Sequence, residues 1–302
     1  MFKEAKRVGK MHQIPGELCN FTASDGILLT GFLYNPTHSK KGIIYLHGLG
    51  SSMVGGPIWS LYAIAKKARI ALLTFNNRGM GLVNGFKKVN GKRLLAGASC
   101  ERFVDCIKDV DGAIQYMKKQ GFRKVVLLGH GTGCQKTAYY LLKKKNKLVK
   151  GLILLAPVDD LNCDKKLYKK RYAILVKLCK NRVKKGKGNF PLLDPRFKPS
   201  KWYSPNRLLS VISESGVEAN LFNYAKPLKV IRKIHLPILA IFGKKEEYAA
   251  IPPKDMLRMI KKEFKNKNSN TKLTPGTNNF KGGEKELVKV MVDWLKKVYH
   301  LA

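Results

Sequence analysis

The segment Val126-Leu127-Leu128-Gly129-His130-Gly131-Thr132-Gly133-Cys134 carries the clearest chemical signal in the chain. An apolar run enters a glycine-rich turn, and a helical pattern follows. Gly129 and Gly133 stand where the G-x-S-x-G nucleophile elbow places its glycines. Small residues there let a strand and a helix approach closely around a residue in a strained turn. From that turn a hydroxyl can attack an acyl carbon. The middle residue here is Gly131, which has no side chain.

Other reactive side chains offer weaker alternatives. His47 and His130 flank the turn and are expected to be scaffold residues bonded to backbone. Cys134 lies past the turn on the following helix, with no evident histidine partner. Asp159 and Asp160 follow an apolar run and suit a solvated turn. The histidines are isolated and no Cys-x-x-Cys pair occurs among the six cysteines, so no metal or redox site is expected. His47-Gly48-Leu49-Gly50 lacks the pattern of a phosphate or dinucleotide loop, and no cofactor is expected.

The elements around these residues alternate between strand and helix. Glu17–Phe21 and Ile27–Tyr34 read as a hairpin about Ser24-Asp25-Gly26. Gly42–Leu46 and Ile70–Phe75 read as strands, with a helix over Ile58–Lys67 between them. Phe103, Ile107, Val110, Ile114 and Met117 share one helical face, and Gly121 supplies the C-terminal stop. Val125–Leu128 and Leu152–Leu155 are apolar throughout, as strands buried on both faces of a parallel sheet are. A helix is expected from about Cys134 to Lys145. Between Asp159 and Pro227 the pattern breaks into a lysine- and proline-rich stretch with one helix, Leu167–Leu178, which reads as a cap inserted into the sheet. Its Tyr168, Tyr172, Trp202 and Tyr203 could pack the cap or line a pocket. Pro237–Phe242 resumes the sheet, Met256–Phe264 is helical, Thr271–Thr274 is a last short strand, and Glu284–Val298 is the final helix. The division is therefore core (1–158), cap (159–227) and core again (228–302). Sites in such folds lie beyond the carboxyl ends of the strands.

In these segments the chain resembles the α/β-hydrolase superfamily, over most of its length. His47-Gly48-Leu49-Gly50 is similar to the oxyanion motif after the third strand, and Asn76-Asn77-Arg78-Gly79 to the next turn. Thr132-Gly133-Cys134-Gln135 and Ser204-Pro205-Asn206-Arg207-Leu208-Leu209-Ser210 resemble a branch near siderophore-type esterases. The resemblance implies an α/β fold, a mostly parallel sheet with helices on both faces and a cap insertion. It also implies a triad whose acid follows the seventh strand and whose histidine follows the eighth. Glu246, in Gly243-Lys244-Lys245-Glu246, takes the acid place. Asn279 takes the histidine place, with Asn278 as the alternative. Neither asparagine can accept a proton near neutral pH. The oxyanion donors would be the backbone N–H groups of Leu49 and Thr132, which survive any side-chain change.

Charge adds a separate consideration. The 302 residues include 59 Lys+Arg and 20 Asp+Glu, a formal net charge of +39. Such a field attracts nucleic acid or anionic surfaces. Lysine dominates and is spread along the chain, which fits a composition bias at least as well as a binding groove. Residues 1–8 are basic without an apolar run behind them, unlike a secretory leader, and a cytoplasmic protein is expected. The functional expectation is a hydrolase relative that has lost its chemistry and binds a small acyl-type ligand or a partner. Two other readings stand beside it: a hydrolase of atypical mechanism, and a nucleic-acid- or anionic-membrane-associated protein.

Overall fold

The computed structural model describes residues 14–198 and 200–301. The basic segment at residues 1–8 lies outside the described residues. Ten strands and nine α-helices are described. The strands are β1 (Glu17–Thr22), β2 (Leu28–Tyr34), β3 (Lys41–Leu46), β4 (Ala71–Phe75), β5 (Asn84–Lys87), β6 (Arg93–Ala96), β7 (Lys124–His130), β8 (Val149–Leu155), β9 (Ile238–Lys245) and β10 (Asn270–Thr277). Eight of them form one sheet in the order β1-β2-β4-β3-β7-β8-β9-β10. From β4 to β10 every neighbouring pair is parallel, and β2 runs antiparallel to both of its neighbours. This is the α/β-hydrolase fold.

The apolar runs explain the layering. In β7, Val125 and Leu127 join the core on one face of the sheet, while Val126 and Leu128 join the core on the other. β3 and β8 alternate in the same way. A period-two strand whose two faces are both apolar has to be covered twice, and burying each such side chain contributes about 1.5–3 kcal/mol. Helices α1 (Ile58–Ala68) and α9 (Glu284–Tyr299) cover one face. The other is covered by α2 (Cys106–Lys119), α3 (Thr132–Lys143) and α8 (Pro253–Lys262).

Between β8 and β9 no strand is described. The chain forms α4 (Asp160–Tyr168), α5 (Arg171–Lys184), α6 (Pro205–Ile212) and a short α7 (Lys229–Arg232). Tyr168, Leu175, Cys179, Leu192, Phe197, Leu208 and Ile212 give the cap a small core of its own.

Two expectations are corrected. The single cap helix over Leu167–Leu178 is two helices, broken at Lys169, whose φ is +48°. Tyr168 packs its ring against Phe197 and bonds Ser200, which turns the chain at that point. The helix expected from Cys134 begins at Thr132, directly after the elbow. A separate hairpin, β5–β6, was not anticipated, because its short half-polar strands carry no apolar pattern.

Candidate functional site

The carboxyl ends of β3, β7, β8, β9 and β10 converge on one edge of the sheet. At the end of β7, Gly131 has φ +54° and ψ −125°. This conformation is costly for any residue with a Cβ, by roughly 1–3 kcal/mol. The flanking glycines are required by space: a Cβ on Gly129 would lie 2.3 Å from the Gly133 backbone, and one on Gly133 would lie 2.1 Å from the Leu46 carbonyl oxygen. At Gly131 itself a Cβ would meet only the Gly48 Cα, at 3.9 Å. The elbow therefore keeps both its backbone shape and the room for a side chain. Gly131→Ala is expected to lower stability by about 1–3 kcal/mol through strain alone. A raised melting temperature would contradict the strain argument.

The backbone amides expected as oxyanion donors, those of Leu49 and Thr132, belong to neighbouring turns. A Cβ on Gly48 would lie 3.8 Å from the Thr132 amide nitrogen, so the β3 turn packs against the start of α3. Among the described residues, neither the Leu49 nor the Thr132 amide donates to a protein acceptor. The Thr132 hydroxyl is buried with no partner.

Glu246 and Asn278 meet across the ends of β9 and β10. The Asn278 Nδ2 donates to Glu246 Oε1 at 2.7 Å, and the Asn278 amide donates to Glu247 Oε2 at 2.7 Å. The Asn278 carbonyl accepts from His130 Nε2 at 3.1 Å, which brings this turn against the elbow. Asn279 is exposed and makes none of these contacts. The pairing with Glu246 thus belongs to Asn278, one residue earlier than the preferred register. The irregularity in β10 between Thr274 and Thr277 shifts the strand end in a way no period-two count anticipates. Burial holds the Glu246 carboxyl above its ordinary range, and its Oε2 has no partner.

The other reactive side chains are occupied structurally. His47 Nδ1 donates to the Gly48 carbonyl at 2.9 Å; burial, aided by the nearby Lys136 cation, pushes its pKa down to about 4, so the ring is neutral. His130 is likewise buried, and burial lowers its pKa. The Cys134 thiol donates to the carbonyls of Gly129 and Leu155 at 3.2 Å each, and burial raises its pKa well above the ordinary value, opposite to what a nucleophile needs. Asp159 caps α4 by accepting from the Asn162 amide. His300, at the C-terminal end of α9, is exposed. Among the described residues no three His, Cys, Asp or Glu side chains are grouped to hold a metal ion.

A cavity of about 520 Å³ opens between cap and core, with Leu49 in its wall. Leu49, Glu247 and Tyr248 form its core wall, α4 adds Asp160, Cys163 and Asp164, and the cap adds Tyr203 and Arg207. Of the four cap aromatics singled out above, only Tyr203 lines it. Asp160 accepts from Gln135 at 2.9 Å. Asp164 has no partner among the described residues, and burial alone pushes its pKa up to about 6. Between the unfolded value of about 3.9 and that folded value the native state binds more protons, so stability falls as pH rises through this window. Asp164→Asn is expected to stabilise the protein by on the order of 1–2 kcal/mol near neutral pH and to be neutral near pH 4. Urea unfolding at both pH values measures this; a variant weaker than the parent at neutral pH would reveal a hidden partner for the carboxylate.

Beneath the cavity lies a buried ionic chain that no sequence pattern disclosed. Lys136, on α3, donates to Glu101 Oε2 at 2.7 Å and to Asn77 Oδ1 at 2.9 Å. Glu101 Oε1 lies 3.5 Å from Arg207 Nη2, and Arg207 pairs with Glu218, which also accepts from Ser210. The side chains of Lys136, Glu101, Arg207 and Glu218 are all fully buried. Burial would raise the Glu101 carboxyl, but the Lys136 and Arg207 cations overcome it and hold it below its ordinary value. The chain of charges ties α3 of the core to α6 of the cap.

A family model described as a protein of unknown function, DUF1749, matches residues 100–297. The chain belongs to the DUF1749 family. No curated protein matches this DUF1749 chain. Among solved structures it is similar to the siderophore hydrolase EstB from Aspergillus fumigatus, at 17% identity and a TM-score of 0.69, covering 96% of this chain and 100% of that one. It is also similar to Est1E from Butyrivibrio proteoclasticus with ferulic acid bound, at 15% identity and a TM-score of 0.63, covering 93% and 99%. The Pyrococcus furiosus esterase Pf2001 matches at 15% identity and a TM-score of 0.59, covering 94% and 93%. At these identities the likeness establishes the fold that the DUF1749 chain shares with them.

Proposed function

We propose that this DUF1749 chain is a hydrolase-fold protein that no longer carries out acyl transfer and retains a site for a small ester- or acyl-type ligand. The observation that carries the reading is the pair of replacements within preserved geometry. Gly131 keeps the elbow conformation without a nucleophile. Asn278 gives Glu246 the N–H that an imidazole would give, but its amide cannot accept a proton at neutral pH. Two backbone amides with no acceptor among the described residues, and a cavity with Leu49 in its wall, support ligand binding without turnover. The class of ligand is taken from the structural neighbours, an esterase, a siderophore hydrolase and a protein holding ferulic acid.

The test uses p-nitrophenyl butyrate with the purified chain. The ester should be hydrolysed at the buffer rate yet raise the melting temperature as its concentration rises, as any ligand of the native state does. Turnover well above buffer overturns the loss of chemistry, and an unmoved melting temperature at saturating ester overturns the retained site.

A further inference from the structure

The outer surface of the cap has a composition unlike the rest of the chain. Fourteen of the 37 residues from 165 to 201 are Lys or Arg, and only Asp194 is acidic. Within this segment, among the described residues, only Lys165 (with Glu214) and Arg196 (with Asp194) form ion pairs. The same stretch exposes large apolar side chains: Ile174 is 50% exposed, Leu193 59% and Trp202 48%. Local contacts tie the start of α5 to residues 193–202. Arg171 donates to the Arg196 carbonyl at 3.1 Å, the Leu193 amide donates to the Lys201 carbonyl at 2.7 Å, and the Lys201 ammonium sits 4.7 Å from the Trp202 ring centre. Ile174 lies one helical turn beyond Arg171 on α5, and Lys177, Lys180 and Lys184 continue along that helix, all exposed.

Large apolar side chains exposed together within a polar, charged rim mark an interaction site. The occupant must be negative and must accept aliphatic groups. We infer that the cap surface about α5 and residues 193–202 docks on an anionic phospholipid bilayer, with its lysines at the headgroups and Ile174, Leu193 and Trp202 at the acyl boundary. Lysine outnumbers arginine eleven to three in this segment, which suits diffuse attraction to a charged surface; planar recognition of phosphate or bases calls for arginine. Ile174 and Leu193 offer nothing on which a base could stack. No described helix is long and apolar enough to cross a membrane, so the attachment is peripheral.

Sedimentation of the full chain with vesicles tests this. Binding is expected to vesicles of phosphatidylcholine with phosphatidylserine, not to phosphatidylcholine alone, and it should weaken as salt rises. Ile174→Ser/Leu193→Ser/Trp202→Ser should reduce partitioning at least about tenfold with an unchanged melting temperature. Arg171→Gln/Lys177→Gln/Lys180→Gln should do the same, each cation near the surface being worth about fivefold. Lys143→Gln/Lys144→Gln/Lys145→Gln, outside the cap, should leave binding near the parent's. Absence of binding at low salt overturns the inference. So does an equal loss in the 143–145 variant, which would mean that diffuse charge suffices. If single-stranded RNA displaces the protein from vesicles and the serine variant holds RNA as tightly as the parent, the surface is a nucleic-acid surface instead.

Discussion

The Gly131→Ser/Asn278→His double variant is expected to hydrolyse p-nitrophenyl esters at least about a hundredfold faster than the parent. The arrangement around the two positions already suits the reaction. A Cβ at residue 131 meets nothing closer than 3.9 Å outside its chain neighbours, so the first atom of the serine side chain has room. Glu246 already accepts an N–H from residue 278 at 2.7 Å, the bond that would orient an imidazole. The amides of Leu49 and Thr132, the proposed oxyanion donors, have no acceptor among the described residues. Nucleophile and base act as a unit, so each single substitution should yield little. The elbow strain should show as a modest loss of stability, about 1–3 kcal/mol. Gly131→Ser/Asn279→His is the sharp control, because residue 279 is exposed and away from Glu246. If the 278 variant folds and stays at the buffer rate, the alignment of elbow and acid inferred above is wrong. If Gly131→Ser alone is fully active, another base serves, and His130 is the first to replace.

Lys136→Met should destabilise the protein by about 3–5 kcal/mol, which for a domain of this size is on the order of 10 °C in melting temperature. The reason lies in charge balance. Lys136, Glu101, Arg207 and Glu218 form a neutral buried chain of two cations and two anions. Removing Lys136 leaves one surplus negative charge where no water can reach it. Lys136→Met/Glu101→Gln restores neutrality, since Arg207 and Glu218 remain paired. The double variant is therefore expected to be more stable than Lys136→Met, although it has lost more native groups. Thermal unfolding of the two variants and the parent decides the matter. A Lys136→Met protein as stable as the parent, or a double variant showing the summed loss of its two single changes, would remove the electrostatic account of how the cap is held.

The sequence alone determined the order of the main-sheet strands and the helices that cover them, though not the β5–β6 hairpin or the helices of the cap. Val125–Leu128 is apolar at every position, and such a run has to be covered on both faces whatever surrounds it. The elbow was legible because its glycine spacing is short: Gly129 is imposed by the backbone of Gly133 and Cys134 a few residues on, although Gly133 itself is imposed by the Leu46 carbonyl, far away along the chain. The absence of a side chain at Gly131 is likewise a local fact. What needed the tertiary structure is everything set by contacts distant along the chain. Asn278 and Asn279 are equivalent as letters, and only the irregular end of β10 turns the first toward Glu246 and leaves the second in water. Lys136 reads like any other lysine among 59 basic residues, and it becomes a buried cation only because Glu101 and the cap's Arg207 close over it from 35 and 71 residues away. The basic stretch of the cap was visible as composition. Its exposed Ile174, Leu193 and Trp202 were not, since apolar letters predict burial unless the fold leaves them without a layer to pack against.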